Sequence, residues 1–169
     1  MLEAAKKAPG TTEIATKLQV AQMRDWLRRQ KSMDDVLALL KLDDGVDKVL
    51  TNPAFDTLEV YINQFNKLNK LNPDKQTTTI NTLMVQHGDE AVAKMLEAAK
   101  KVPSTETLAK ELQVAQFSQW LKEGAKPANI WKMLKMEKAT WMTNPDADVW
   151  RGYLAFYKAH KLTAKLPTP

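Results

Sequence analysis

A chain of 169 residues with 25 basic and 20 acidic side chains, net charge +5, can form one compact domain or two small ones and is too short for a large multidomain enzyme. Hydrophobic residues at 44% and charged residues at 27% are the balance of a globular protein, which excludes a disordered or fibrous chain. With no cysteine, disulfide scaffolds, thiol nucleophiles and thiolate zinc sites are excluded, and no apolar run reaches the roughly 18 residues of a membrane helix.

The first periodic segment runs from Thr12 to Gln30. Ile14, Leu18 and Ala21 share one helical face with Val20, Met23 and Leu27 beside it, which predicts a long amphipathic helix buried along that stripe. Ser32, with Asp35 three residues later, approximates a capping box and opens a short helix carrying Val36, Leu37, Leu39 and Leu40. Asn-Pro occurs at 52–53, 72–73 and 144–145, and each pair predicts a helix start, with Asn as cap and Pro in the first turn. After Pro53, the residues Phe55, Leu58, Tyr61, Ile62, Phe65 and Leu68 recur at spacings of three and four. Residues 73–86 and 89–101 read as a helix pair joined at His87-Gly88-Asp89, with Ile80, Leu83 and Met84 facing Val92, Met95 and Leu96. Gly88 and Gly124 fall where helices should close in the left-handed conformation. No segment alternates with period two, so the expected class is all-α, with four or five helices per repeating unit.

That unit is visible in the sequence itself. Residues 1–27 align with residues 95–121 at a constant shift of 94, with 17 identities in 27 positions. The shift persists through Val36 with Ile130 and Leu40 with Leu134, then falls to 92. At that shift Thr51-Asn52-Pro53 meets Thr143-Asn144-Pro145, Tyr61 meets Tyr153 and Phe65 meets Tyr157. Residues 72–94 have no first copy, so the chain is expected to begin inside a repeat and to derive from a longer array.

A tryptophan in the long helix (Trp26, Trp120), a short leucine-rich helix, an Asn-Pro start and a tyrosine some 35 residues on (Tyr61, Tyr153) form one ordered, repeated pattern. It resembles the W and Y motifs of the RxLR effectors that plant-pathogenic oomycetes such as Phytophthora deliver into host cells. Residues 80–99 resemble the L motif of the tandem LWY units. The resemblance implies a WY unit over residues 1–71 that keeps only the tail of an L motif in Met1–Lys7, an LWY unit over 72–162, and a C-terminal tail over 163–169. It implies helical bundles stacked into an elongated rod, with Trp26, Tyr61, Trp120, Tyr153, Leu83 and Leu96 as structural motif residues. Neither an RxLR nor an EER motif is present in the sequence, and His87 stands where the family often has an aromatic residue.

Little in the sequence suggests chemistry. Ser32, Ser104 and Ser118 fall at caps or surface positions, and His87 and His160 lie 73 residues apart, so no catalytic triad is expected. No phosphate loop, HExxH or EF-hand spacing occurs, and no catalytic residue, metal site or cofactor is assigned. Two groups are candidates for partner binding. Arg24, Arg28 and Arg29, with Lys31, crowd one helix end, which the interleaved acids make a solvated face or a dock for an acidic partner rather than a nucleic-acid surface. Trp131, Met133 and Trp141 either repack the core of the second unit or form a docking patch. Trp131 to Leu134 also fits a W-x-x-L pattern that binds autophagy adaptors, but that pattern needs an extended strand and here falls in a predicted helix.

What the resemblance implies for function is a non-catalytic virulence module, secreted by the pathogen, that suppresses immunity by binding a host protein in the plant cytoplasm or nucleus, without membrane insertion or a cofactor. In the family some adjacent LWY pairs recruit the scaffold subunit of host serine/threonine phosphatase type two-A, and others bind autophagy or RNA-silencing components. The alternative is a spacer unit, whose partners are the neighbouring repeats of a longer array.

Overall fold

The computed structural model describes residues 5, 6, 8 and 10–163, so the expected tail over 163–169, apart from Thr163, and most of the L-motif remnant over Met1–Lys7 lie outside the described residues. Successive α-helices are α1 (Thr12–Arg28), α2 (Met33–Leu40), α3 (Phe55–Leu68), α4 (Thr79–His87), α5 (Asp89–Ala99), α6 (Glu106–Lys122), α7 (Pro127–Met133) and α8 (Ala147–Thr163), with 3-10 turns at Val46–Thr51 and Pro73–Lys75. No strand occurs among the described residues, and the protein is all-α. The chain divides into two compact units, Met1–Thr82 and Leu83–Pro169.

Caps set most of these boundaries. Ser32 Oγ accepts the Asp35 N–H at 3.1 Å while Asp35 Oδ2 accepts the Ser32 N–H at 3.1 Å, so the capping box forms and α2 begins where the sequence places it. Gly88 (φ 83) separates α4 from α5, and Gly124 (φ 77) closes α6. The Asn-Pro pairs behave otherwise than expected. Asn52 Oδ1 accepts the Ala54 N–H, and Asn144 Oδ1 accepts the Asp146 N–H, both at 2.9 Å, so each asparagine caps a turn that leads into the helix three residues on. At Asn72-Pro73 only the 3-10 turn follows, and the helix predicted from residue 73 starts at Thr79. The Asn66 side chain holds the backbone of Thr77 through two hydrogen bonds (Nδ2 to Thr77 O, 2.7 Å; Thr77 N to Oδ1, 3.0 Å). Thr78 Oγ1 then accepts the Asn81 N–H. The backbone there is committed to side-chain partners, and the helix must wait for a new cap.

The stripe predicted for α1 is also corrected. Ile14 and Leu18 are 61% and 53% exposed, Val20 and Ala21 are exposed too, and the buried line is Ala15, Gln19, Met23 and Trp26. Apolar residues surround more than one side of this helix, so periodicity alone did not choose the face; contact with α3 does, where Gln19 Nε2 donates to Thr57 Oγ1 at 2.5 Å. In the second unit, where α5 packs along α6, Leu112, the twin of Leu18, is buried.

Inside each unit the same backbone recurs. Lys41 (φ 55) and Lys135 (φ 53) are left-handed at equivalent positions, as are Gln30 (φ 52) and Gly124. Helices α2 and α3 pack together in the first unit; in the second, α7 packs on α8, and α5, α6 and α8 pack pairwise. Core side chains adjust in pairs. Met23 and Val60 of the first unit become Phe117 and Gly152 in the second, where an added Cβ at Gly152 would lie 3.2 Å from the Phe117 ring. Gly152→Val, which installs the first unit's residue opposite the larger ring, is expected to destabilise the second unit by about 1–3 kcal/mol in chemical denaturation.

Candidate interaction surface

The tryptophan–tyrosine pairs form internal braces. Trp26 meets Tyr61 edge-on at 6.1 Å between centroids, and Trp120 meets Tyr153 at 5.3 Å and 89°. Both tyrosines are fully buried as rings and spend their hydroxyls on backbone. Tyr61 Oη donates to Lys31 O at 3.1 Å and Tyr153 Oη to Ala125 O at 2.7 Å, which pins the left-handed turn after each tryptophan helix. Phe117 joins the second brace, at 5.7 Å from Trp120 and 5.5 Å from Tyr153.

Burial raises both phenols above their ordinary value of 10.0, aided at Tyr61 by the Asp35 carboxylate and at Tyr153 by Tyr157 and Glu123. The unfolded chain therefore ionises first, so the stabilisation is complete below about pH 10 and is lost as pH rises through the higher folded value. Tyr153→Phe is expected to lose about 0.5–1.5 kcal/mol at neutral pH, because the Ala125 carbonyl loses its donor, and to show a shallower alkaline decline in circular-dichroism melts.

Leu83 and Leu96 are buried in the second unit with Met84, Val92 and Met95. Two polar contacts there escaped the sequence reading. Trp120 Nε1 donates to Asp89 Oδ2 at 2.8 Å, and Gln113 bridges Glu97 (Nε2 to Oε2, 3.1 Å) and Lys100 (Nζ to Oε1, 2.8 Å), so α5 is stitched to α6 by polar as well as apolar groups. Glu90 accepts from Lys94 (2.9 Å) and Lys135 (2.9 Å), and Lys94 also reaches Asp146 at 3.0 Å. Hydrogen bonds from Lys94 and then Lys135 hold the Glu90 carboxyl below its usual value.

The arginine cluster is partly neutralised. Arg28 Nη2 and Arg29 Nε share the Asp25 carboxylate at 2.6 and 2.8 Å, and these hydrogen bonds, Arg28 first, lower the Asp25 pKa. Arg24 instead lines a shallow groove of about 210 Å³ with Val20, Met23, Leu27, Val60 and Gln64.

Trp131 and Trp141 come together with a third ring, that of Trp150 on helix α8. Centroid distances are 6.3 Å (Trp131–Trp141), 5.1 Å (Trp131–Trp150) and 6.2 Å (Trp141–Trp150). Trp150 Nε1 donates to Pro127 O at 3.0 Å, and the Arg151 guanidinium lies 5.1 Å above Trp141. All three rings are half-buried, as is Met133, and Met142 beside them is 76% exposed. Trp131 sits within helix α7, not in the strand that the W-x-x-L pattern requires. The signal for Trp150 was present in the repeat, since at the shift of 92 it replaces Leu58 as Trp141 replaces Val49.

No protein-family model matches the chain. Among known proteins, the RxLR effector protein PSR2 of Phytophthora sojae is 37% identical over 163 residues, covering 95% of this chain and 24% of that protein. The RxLR effector protein PexRD25 of Phytophthora infestans is 31% identical over 166 residues, covering 96% of this chain and 53% of that protein. The crystal structure of PcRxLR12 superimposes with a TM-score of 0.82 at 39% identity, over 95% of this chain and 38% of that one. The chain thus spans about a quarter of PSR2 and about half of PexRD25. Two tryptophan–tyrosine braces on an all-α frame, with this identity along nearly the whole sequence, mean that the chain belongs to the RxLR effector family of Phytophthora.

Proposed function

We propose that this chain is a non-catalytic binding module of a virulence effector, secreted by the pathogen and acting inside the plant cell, where it engages a host protein to suppress immunity. The observation that carries the reading is its similarity over 95% of its length to PSR2, a protein named as an RxLR effector. The physical organisation supports it: Trp26, Tyr61, Trp120 and Tyr153 are consumed in holding the bundles, which leaves the outer helix faces free to vary toward a target. The specific target we favour is the scaffold subunit of host serine/threonine phosphatase type two-A, recruited as a regulatory subunit would recruit it. A cluster of three tryptophans that is not fully buried favours docking over a spacer, which would need no such surface.

The test is affinity purification of the chain from plant extract, with mass spectrometry and a phosphatase assay on the eluate. Retention of the scaffold with its catalytic subunit, at levels above an unrelated helical protein of similar charge, is the expected result. Enrichment of autophagy or RNA-silencing components instead would reassign the target, and no enrichment at all would leave the spacer role.

A further inference from the structure

The two units differ at one cluster of three repeat positions. Leu37, Val49 and Leu58 of the first unit are 0%, 1% and 0% exposed, a closed apolar contact between the short helix, the 3-10 turn and α3. At the same three repeat positions the second unit carries Trp131, Trp141 and Trp150, and their rings meet one another and reach solvent. The first part of the frame is kept, although two residues are lost between the first and second of these positions: the left-handed Lys41 and Lys135 correspond, Leu42 N donates to Leu37 O at 2.9 Å, and Met136 N donates to Trp131 O at 3.1 Å. A core that leucine and valine can fill does not need three indoles. Enlarging all three positions leaves aromatic surface outside, where tryptophan concentrates binding energy.

Charge changes over the same stretch. Residues 33–51 hold two lysines and five aspartates, net −3; the equivalent residues 127–143 hold three lysines and one glutamate, net +2. Asp34 and Asp35 have become Ala128 and Asn129, Ala38 has become Lys132 and Asp44 has become Lys138. Lys135 is paired with Glu90, whereas Lys132 and Lys138 are exposed and have no ion pair among the described residues. Next to the rings, Arg151 covers Trp141.

We propose that the Trp131/Trp141/Trp150 face of the second unit docks an acidic peptide segment with aromatic or leucine anchors, belonging to a partner protein. The anchors would lie against the indoles, and the carboxylates would meet Lys132 and Lys138. This rests on the reading of the chain as a protein-binding module and assigns that binding to one face of one unit. The first unit, with the same fold, lacks both the rings and the positive charge.

The repeat supplies its own test. Trp131→Leu, Trp141→Val and Trp150→Leu together install side chains that the first unit packs at these positions, and circular-dichroism melting checks that the triple variant is folded. The probe is a 12-residue peptide alternating Glu or Asp with Phe and Leu, titrated into the 169-residue chain by calorimetry and tryptophan fluorescence. Binding is expected to weaken at least tenfold in the triple variant, at least tenfold when the peptide acids are replaced by Gln and Asn, and several-fold in a Lys132→Ala, Lys138→Asp variant or in added salt. Absence of binding, equal binding by the neutralised peptide, or full retention by the triple variant would overturn the proposal. So would a concentration-dependent dimer abolished by the same three replacements, which would assign the face to a second copy, or binding to phosphatidylserine vesicles in place of the peptide. In plant extract, phosphatase recovery that survives the triple replacement sinks this docking face and leaves the module reading intact.

Discussion

Replacing Trp120 with alanine is expected to destabilise the second unit by about 3–5 kcal/mol, the range for deleting a large buried aromatic side chain. Trp120 is 1% exposed, packs on Phe117 and Tyr153, and gives its indole N–H to Asp89, so the change opens a cavity and strips a carboxylate of its donor at once. In a unit of this size the melting temperature should fall by roughly 12 °C or more, measured by circular dichroism. Trp26→Ala should cost less, because Trp26 is 6% exposed and has Tyr61 as its aromatic partner, at the longer distance of 6.1 Å. Trp120→Phe separates the two contributions, since it keeps an aromatic ring and removes the donor to Asp89. Equal losses for Trp26→Ala and Trp120→Ala would mean that Phe117 and Asp89 add nothing to the brace.

Leu37→Ala is the second large effect, about 2–5 kcal/mol in the first unit, because the side chain is fully enclosed and its removal leaves a void that the short helix α2 and α3 can only partly fill. Its twin should behave differently. Trp131→Ala removes a much larger side chain yet is expected to cost less, since the ring is only partly enclosed and the deletion also withdraws its remaining apolar surface from solvent. An ordering of destabilisation opposite to side-chain size, read from urea unfolding of each variant, is what an outward-facing tryptophan cluster requires. A Trp131→Ala loss larger than that of Leu37→Ala would make the cluster a core and remove the basis for docking there.

The sequence by itself determined the helical class, the 94-residue repeat, the capping box at Ser32, the closing glycines at 88 and 124, and the place of Trp26, Tyr61, Trp120 and Tyr153 in the order of elements. These follow from local rules: cap chemistry needs three or four neighbouring residues, and a repeat reports itself whenever two copies share a chain. Sequence also carried the family, because its motif residues keep their order and spacing.

Only the tertiary structure decided which side of α1 is buried. Of the predicted stripe Met23 is buried while Ile14 and Leu18 are not, and the hydrogen bond from Gln19 to Thr57 that marks the buried side joins residues 38 apart in the chain. It decided as well that Asn72-Pro73 starts no α-helix, since the Asn66 side chain, distant in sequence, claims the Thr77 backbone. The meeting of Trp131, Trp141 and Trp150 is of the same kind. Sequence left Trp131 and Trp141 open between core and docking patch, and nothing local says that they meet each other and Trp150 at one edge, each only partly enclosed. Helical periodicity fixes the angle of a side chain about its own axis; what stands opposite that side chain is fixed by contacts between segments far apart in the chain.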